Sequence, residues 1–261
     1  MVGFLPAPCK SGSIAGVSLS AQLSRTFAPL VNLVYPPRCP ACGEGTASQT
    51  GLCLTCWSSL EIPAEPSCVL CQYPLDVEEA DANPICLVCA TEPPVHSGIA
   101  AGTVYNDTSR RLILAFKHGR RIALSRLLSG FIAARLPEDT ADHLIVPVPL
   151  HRLRLWQRGF NQAALLARDL ERLGKGQLVV DILVRKKFTR PLGNLGQQER
   201  KRILAGSIAV NPRRAESMKG AKIILVDDVL TSGATTNACA EVLKQAGAAE
   251  VIIACAARKL R

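Results

Sequence analysis

Residues 223–236 read IILVDDVLTSGATT, and two adjacent carboxylates, Asp227 and Asp228, stand at their centre. Neighbouring carboxylates can accept hydrogen bonds from vicinal hydroxyls. Three residues on, Thr231, Ser232, Gly233, Ala234 and Thr235 form a run of small residues and hydroxyls. Glycine lets a backbone approach an anion closely, and hydroxyls add donors. That combination suits a phosphate, with the aspartates reaching the sugar that carries it. The elements that position these groups are legible on either side. Ile223 to Val226 is a short apolar run of the kind expected for a strand buried on both faces, which places the aspartates at its end. Beyond the loop, Ala238, Val242, Leu243 and Ala246 share one stripe of a predicted helix. A loop feeding a helix start offers unpaired N–H groups and the positive end of the helix dipole. An Asp-Asp pair alone would fit a plain strand end and a turn. The whole string of strand, DD, TSGAT and helix is far rarer by chance.

This segment resembles the 5-phosphoribosyl-1-pyrophosphate (PRPP) motif of type I phosphoribosyltransferases. The resemblance implies that Asp227 and Asp228 orient the ribose hydroxyls. It implies too that Thr231, Ser232, Gly233, Ala234 and Thr235 hold the 5′-phosphate. A second basic segment fits the same ligand. Residues 143–149, HLIVPVP, read as a strand, and Arg152, Arg154 and Arg158 crowd an expected loop before an amphipathic helix reaching Leu173. In the resembled fold the corresponding loop holds pyrophosphate, for which guanidinium groups are apt partners. A solvated basic turn is the plainer alternative. Asn161 could cap the following helix or reach the ligand. Upstream, residues 98–118 begin strand-like and turn helical, with Leu112, Ile113 and Phe116 on one face. Lys117 ends that helix either as a dipole-favoured solvated charge or as a cation near the ligand.

Eight of eleven cysteines fall in four C-x-x-C pairs: Cys39/Cys42, Cys53/Cys56, Cys68/Cys71 and Cys86/Cys89, separated by 10, 11 and 14 residues. Each pair can aim two thiolates at one metal, and two pairs close a tetrahedral zinc site. Four pairs therefore predict two structural Zn2+ sites, with consecutive pairing favoured over a cross-brace. Disulfides do not suit a cytoplasmic chain. A redox pair would be single, and iron–sulfur clusters use other spacings. Closed thiolate sites hold no catalytic water, so their role is folding. Cys239 and Cys255, in an expected helix and strand, read as buried apolar fillers, and Cys9 stands apart.

The chain has 261 residues and a formal net charge of +10. Residues 1–95 carry three Lys/Arg and eight Asp/Glu, a net −5, whereas residues 96–261 carry 28 and 13, a net +15. The basic excess belongs with the phosphate motif and favours polyanionic ligands. No apolar run is long enough for a membrane span. The broken apolar patches of the first 30 residues do not form a signal-peptide core, so the expected compartment is the cytoplasm. Residues 28–34 suggest a short helix. A strand is expected near 178–184, and residues 184–208, basic and glycine-containing, suggest a mobile flap.

Taken together, YPPRCPACG, LILAFKHGR, VPVPLHRLRLWQRGFNQAALLARDL and IILVDDVLTSGAT resemble the ComF family. The resemblance implies an α/β type I phosphoribosyltransferase-like domain with a mostly parallel sheet (96–261), preceded by a small double zinc-ribbon domain (35–95) and a tail (1–34). It implies PRPP binding with Mg2+, Lys117, Arg152 and Arg154 serving the pyrophosphate, and a link to competence through single-stranded DNA or a DNA-processing partner. In the flap Thr189, Leu195, Arg200 and Gly206 fit the family pattern, while Leu192, Ile203 and Ile208 replace its Gln, Asn and Phe. That change removes polar groups from the flap.

Overall fold

The computed structural model describes residues 35–47, 51–75, 84–118, 121–187, 197–204 and 206–260. Residues 1–34, Cys9 and the expected helix at 28–34 among them, lie outside these, as do Thr189, Leu192 and Leu195 of the flap. Arg38–Arg261 form one compact unit.

Five strands make the central sheet: β1 (Gly98–Val104), β2 (Leu144–Pro147), β3 (Gln177–Leu178), β6 (Lys222–Leu230) and β7 (Glu250–Arg258). Their order is β1-β7-β6-β2-β3 and every pairing is parallel. Parallel sheets need both faces covered, and the residues alternate accordingly. Ile223 and Leu225 join Val146, Ile253 and Cys255 in a core under helix α8 (Ala234–Gln245). Ile224 and Val226 join Ile145, Ile252 and Ala254 on the opposite face. There they meet Leu112 and Phe116 of α3 (Asp107–His118), Leu128 and Ile132 of α4 (Leu124–Ala133), and Leu166 and Leu170 of α6 (Gln162–Arg172). Ile223 to Val226 are fully buried, so the run is buried on both faces as its composition suggests.

Several boundaries differ from expectation. β6 continues through both aspartates to Leu230, because its pairing with β7 extends to Arg258 and satisfies the backbone that far. The expected strand near 178–184 is two strands in different sheets. β3 pairs with β2, while β4 (Leu183–Arg185) pairs antiparallel with β5 (Ile208–Val210). The flap region thus contains β5 and helix α7 (Gln197–Leu204), and two 3-10 turns follow before β6. The inward face of α8 is Thr236, Cys239, Ala240 and Leu243, while Ala238, Val242 and Ala246 flank it half-buried. Cys239 and Cys255 are buried apolar fillers of that core.

The two ribbons, with short helices α1 (Leu54–Ser58) and α2 (Leu87–Thr91), lie along edge strand β1. The Val104 N–H donates to the Glu61 carbonyl at 2.7 Å, and the Ala101 N–H donates to Gln72 Oε1 at 3.0 Å. An exposed edge invites pairing with another chain, and here the ribbons occupy it. Trp57 packs on Phe131 with ring centroids 5.8 Å apart, and Arg135 pairs with Glu65 at 2.6 Å. In the first ribbon Gly43 follows its knuckle at φ 86°, and in the second Gln72 takes the corresponding place at φ 53°. Both N–H groups donate back to the first cysteine carbonyl of the knuckle. A side chain costs about 1–2 kcal/mol in that left-handed region, and Gln72 is held there by its bond to β1.

Candidate functional site

At the carboxyl end of the sheet the strand alternation sends Asp227 and Asp228 to opposite faces. Asp228 faces α3, where its Oδ2 lies 3.0 Å from Lys117 Nζ. Lys117 is therefore a partner of the acidic pair rather than a solvated helix end. Asp227 faces the side of Cys239 and Arg185, and its Oδ1 accepts the Asp228 N–H at 2.8 Å. Burial, then the neighbouring Asp228 charge, pushes the Asp227 carboxyl up to about 7, against the lowering pull of that N–H, Lys117 and Arg185. Burial and Asp227 also push the Cys255 thiol up to about 12 and raise Cys239.

Thr231, Ser232 and Gly233 link β6 to α8, and Ala234 and Thr235 form the first turn of that helix. Gly233 sits at φ 72°, which aims the chain into the helix and would strain any other residue. It gives α8 no side-chain cap. By contrast Asn161 caps α6 by accepting the Ala163 N–H at 3.1 Å, and His151 caps α5 (Arg152–Arg158). Asn161 also donates to the Val148 carbonyl at 3.1 Å, so it is a structural cap. The first turn of α8 thus presents N–H groups that an anion can satisfy.

Arg152, Arg154 and Arg158 lie on helix α5, not in a loop. The left-handed Gly159 at its end stops α5 and lets α6 begin three residues later. Arg154 and Arg158 are four apart and half-buried on the inner side, while Arg152 points outward. Burial, then Arg158, disfavours the Arg154 charge. A residue that sequence reasoning missed joins them: Arg185, the last residue of β4. Burial, then Arg154, disfavours its charge, while Cys239 and Asp227 support it. Arg185 thus lies in electrostatic reach of both Arg154 and Asp227, at the base of the flap. Its only sequence signal was a cation closing an apolar strand. The site gathers two carboxylates, an anion-ready helix start and cations from α3, α5 and β4.

The eight knuckle cysteines form two clusters, Cys39/Cys42/Cys53/Cys56 and Cys68/Cys71/Cys86/Cys89, with the sulfurs of each within 4.8 Å of one another. Pairing is consecutive. The Cys42–Cys53 and Cys71–Cys86 sulfurs are 3.5 and 3.6 Å apart. These separations are far beyond a disulfide bond and close to the edge of a tetrahedron with zinc–sulfur bonds of about 2.3 Å. Burial opposes charging, yet backbone N–H groups bring Cys39 down to about 6 and Cys68 to about 7. Burial and neighbouring thiols raise Cys56 and Cys89. A divalent cation supplies the charge that holds all four as thiolates, so the donor sets fit structural zinc.

The chain is similar to known families and proteins. A family model described as a double zinc ribbon domain matches residues 30–90, and one described as a phosphoribosyl transferase domain matches residues 156–261. The DNA utilization protein YhgH of Escherichia coli (strain K12) is 30% identical over 228 residues, 85% of this chain and 90% of that protein. The chain belongs to the ComF family. Among ComF relatives, competence protein F of Haemophilus influenzae is 27% identical over 82% of this chain and 93% of its own length. Competence protein ComFC of Bacillus subtilis (strain 168) is 28% identical over 76% and 80%. The phosphoribosyl transferase match begins within α5, yet β1 and β2 belong to the same parallel sheet. The central sheet therefore begins well before the matched residues.

Proposed function

We propose that this ComF protein binds PRPP and transfers its phosphoribosyl group to an acceptor, with pyrophosphate leaving. The observation that carries this is the placement of Asp227 and Asp228 beside the uncapped start of α8, with Arg154 and Arg185 on the same side. Asp227 and Asp228 orient the ribose. Thr231, Ser232, Gly233, Ala234 and Thr235 receive the 5′-phosphate. Arg154 and Arg185 stabilise pyrophosphate, whereas Arg152, expected beside Arg154, lies on the exposed outer side of α5. The acceptor attacks C1 of the ribose, so the protein's contribution is positioning and electrostatic stabilisation. Asp227 and Asp228, with the ligand's own oxygens, would hold Mg2+, which neutralises pyrophosphate charge. Lys117 places one positive charge at Asp228, and ligand binding must displace or share it. The residue ranges 35–95 and 96–261 act as presenting ribbon and ligand-binding domain. The names of the relatives, competence protein and DNA utilization protein, support a role in handling incoming DNA, with the cytoplasm as the expected compartment.

A second reading has its own support in the uneven charge. The basic part of the chain could serve as an adaptor that senses PRPP and binds single-stranded DNA or a DNA-processing partner. Pyrophosphate release from PRPP, followed across a broad panel of amines, bases and nucleotides, separates the two. Acceptor-dependent release lost in Asp227→Asn/Asp228→Asn supports transfer. Background release with every acceptor, alongside measurable PRPP binding, favours the adaptor.

A further inference from the structure

Helix α5 has no buried residue, and its exposed side is unusual. Trp156 is 84% exposed and Leu153 53%. Helical spacing explains which groups share that side. Arg154 and Arg158, four apart, turn inward and are half-buried. Arg152 and Trp156, also four apart, turn outward with Leu153 beside them. From His143 to Arg168 the chain carries four arginines and no carboxylate, so nothing in this segment offsets the charge. The helix leaves the carboxyl end of β2, the neighbour of the strand bearing Asp227. An indole held in water beside guanidinium groups costs solubility and contributes nothing to the core.

We propose that the outer face of α5 is a stacking platform for single-stranded nucleic acid, with Trp156 receiving a base and Arg152 the adjoining phosphate. This rests on the second reading above and assigns it a surface. The chemistry selects the occupant. Every base offers a face to an indole, and such stacking tolerates any sequence. A duplex keeps its bases inside the stack and cannot use Trp156 in this way. The arginines favour a polyanion, and their guanidinium planes can stack as well as pair. Charge sets the ribbons apart from this face: their part of the chain carries net −5, and Trp57, 55% exposed, has one side packed on Phe131.

The chain has two tryptophans, which makes the test direct. In a Trp57→Phe background Trp156 is the sole indole, and the folded protein is titrated with a thymidine oligonucleotide at low salt without PRPP. We expect quenching of Trp156 that tracks binding. Trp156→Ala should bind about ten-fold or more weakly, and Trp156→Phe should retain most of the affinity. Arg152→Gln should lower the slope of log affinity against log salt by about 0.7. Both residues are exposed, so unchanged melting checks that the variants fold. Oligonucleotide binding with Trp156 fluorescence unchanged, and affinity unaffected by Trp156→Ala, would overturn the platform while leaving DNA binding elsewhere intact. No binding at low salt would overturn both. Equal competition by duplex of the same length would overturn the single-strand choice. A dimer that Trp156→Ala converts to monomer, with oligonucleotide affinity unchanged, would assign the face to a second copy and overturn the platform too.

Discussion

The chemistry of Asp227 depends strongly on its surroundings. Its carboxyl has an ordinary value of 3.8 and is pushed up to about 7 in the fold by burial and by Asp228. Between those values the folded protein holds a proton that the unfolded chain has released. Stability of the ligand-free protein should therefore fall as pH rises from about 4 to about 7, and Asp227→Asn should flatten that dependence in melting curves. The ionised carboxylate accepts hydrogen bonds from ribose hydroxyls more strongly than the neutral acid, so PRPP affinity in calorimetry should rise from about pH 6 to about pH 8. An affinity that falls over that range would remove Asp227 from the ribose contact. Gln72 gives a second prediction at this scale. Gln72→Gly relieves left-handed strain of about 1 kcal/mol but leaves the buried Ala101 N–H without its acceptor, a cost of about 1–3 kcal/mol. The net result should be a melting temperature lower by about 2–4 °C, with faster amide exchange at Ala101. A more stable variant would show that the Gln72 bond contributes little to docking.

At the scale of elements, the ribbons do more than hold metal. They bond to Ala101 and Val104 of β1 and seat Trp57 on Phe131, so the edge of the sheet depends on them. Stripping zinc with a chelator should lower the melting temperature of the whole protein, not of the ribbons alone, and should promote aggregation through the uncovered edge. Light scattering during the melt checks this. Independent melting of an unaltered α/β part would contradict it. These elements also show what the sequence could and could not convey. C-x-x-C spacing was enough to predict two clusters, because two close thiolates per turn leave few alternatives. The apolar run Ile223–Val226 located β6, but its end was hidden, since the length of β6 is set by pairing with β7 rather than by local composition. Arg152 to Arg158 read as a loop because the helical stretch is short and buries no residue. Arg185 went unnoticed because its proximity to Asp227 arises from a β4–β5 pairing between segments over twenty residues apart, which no local pattern encodes. For Lys117 the local sequence fits both a solvated helix end and a ligand-side cation, and only the packing of α3 against β6 sets it on Asp228.

At the scale of the molecule, the fold assembles at one sheet end what the sequence scatters over more than a hundred residues. α3 brings Lys117, α5 brings Arg154, β4 brings Arg185, and β6 with α8 brings the carboxylates and the phosphate loop. Whether this assembly is a PRPP site is best tested by a thermal-shift titration of the zinc-loaded protein with PRPP, with and without Mg2+. Wild type is run beside Asp227→Asn/Asp228→Asn. Ligand at 100 times its dissociation constant should stabilise the fold by about 2.7 kcal/mol, and the variant should lose that shift. A folded wild type whose melting temperature PRPP leaves unchanged under both conditions would contradict the assignment.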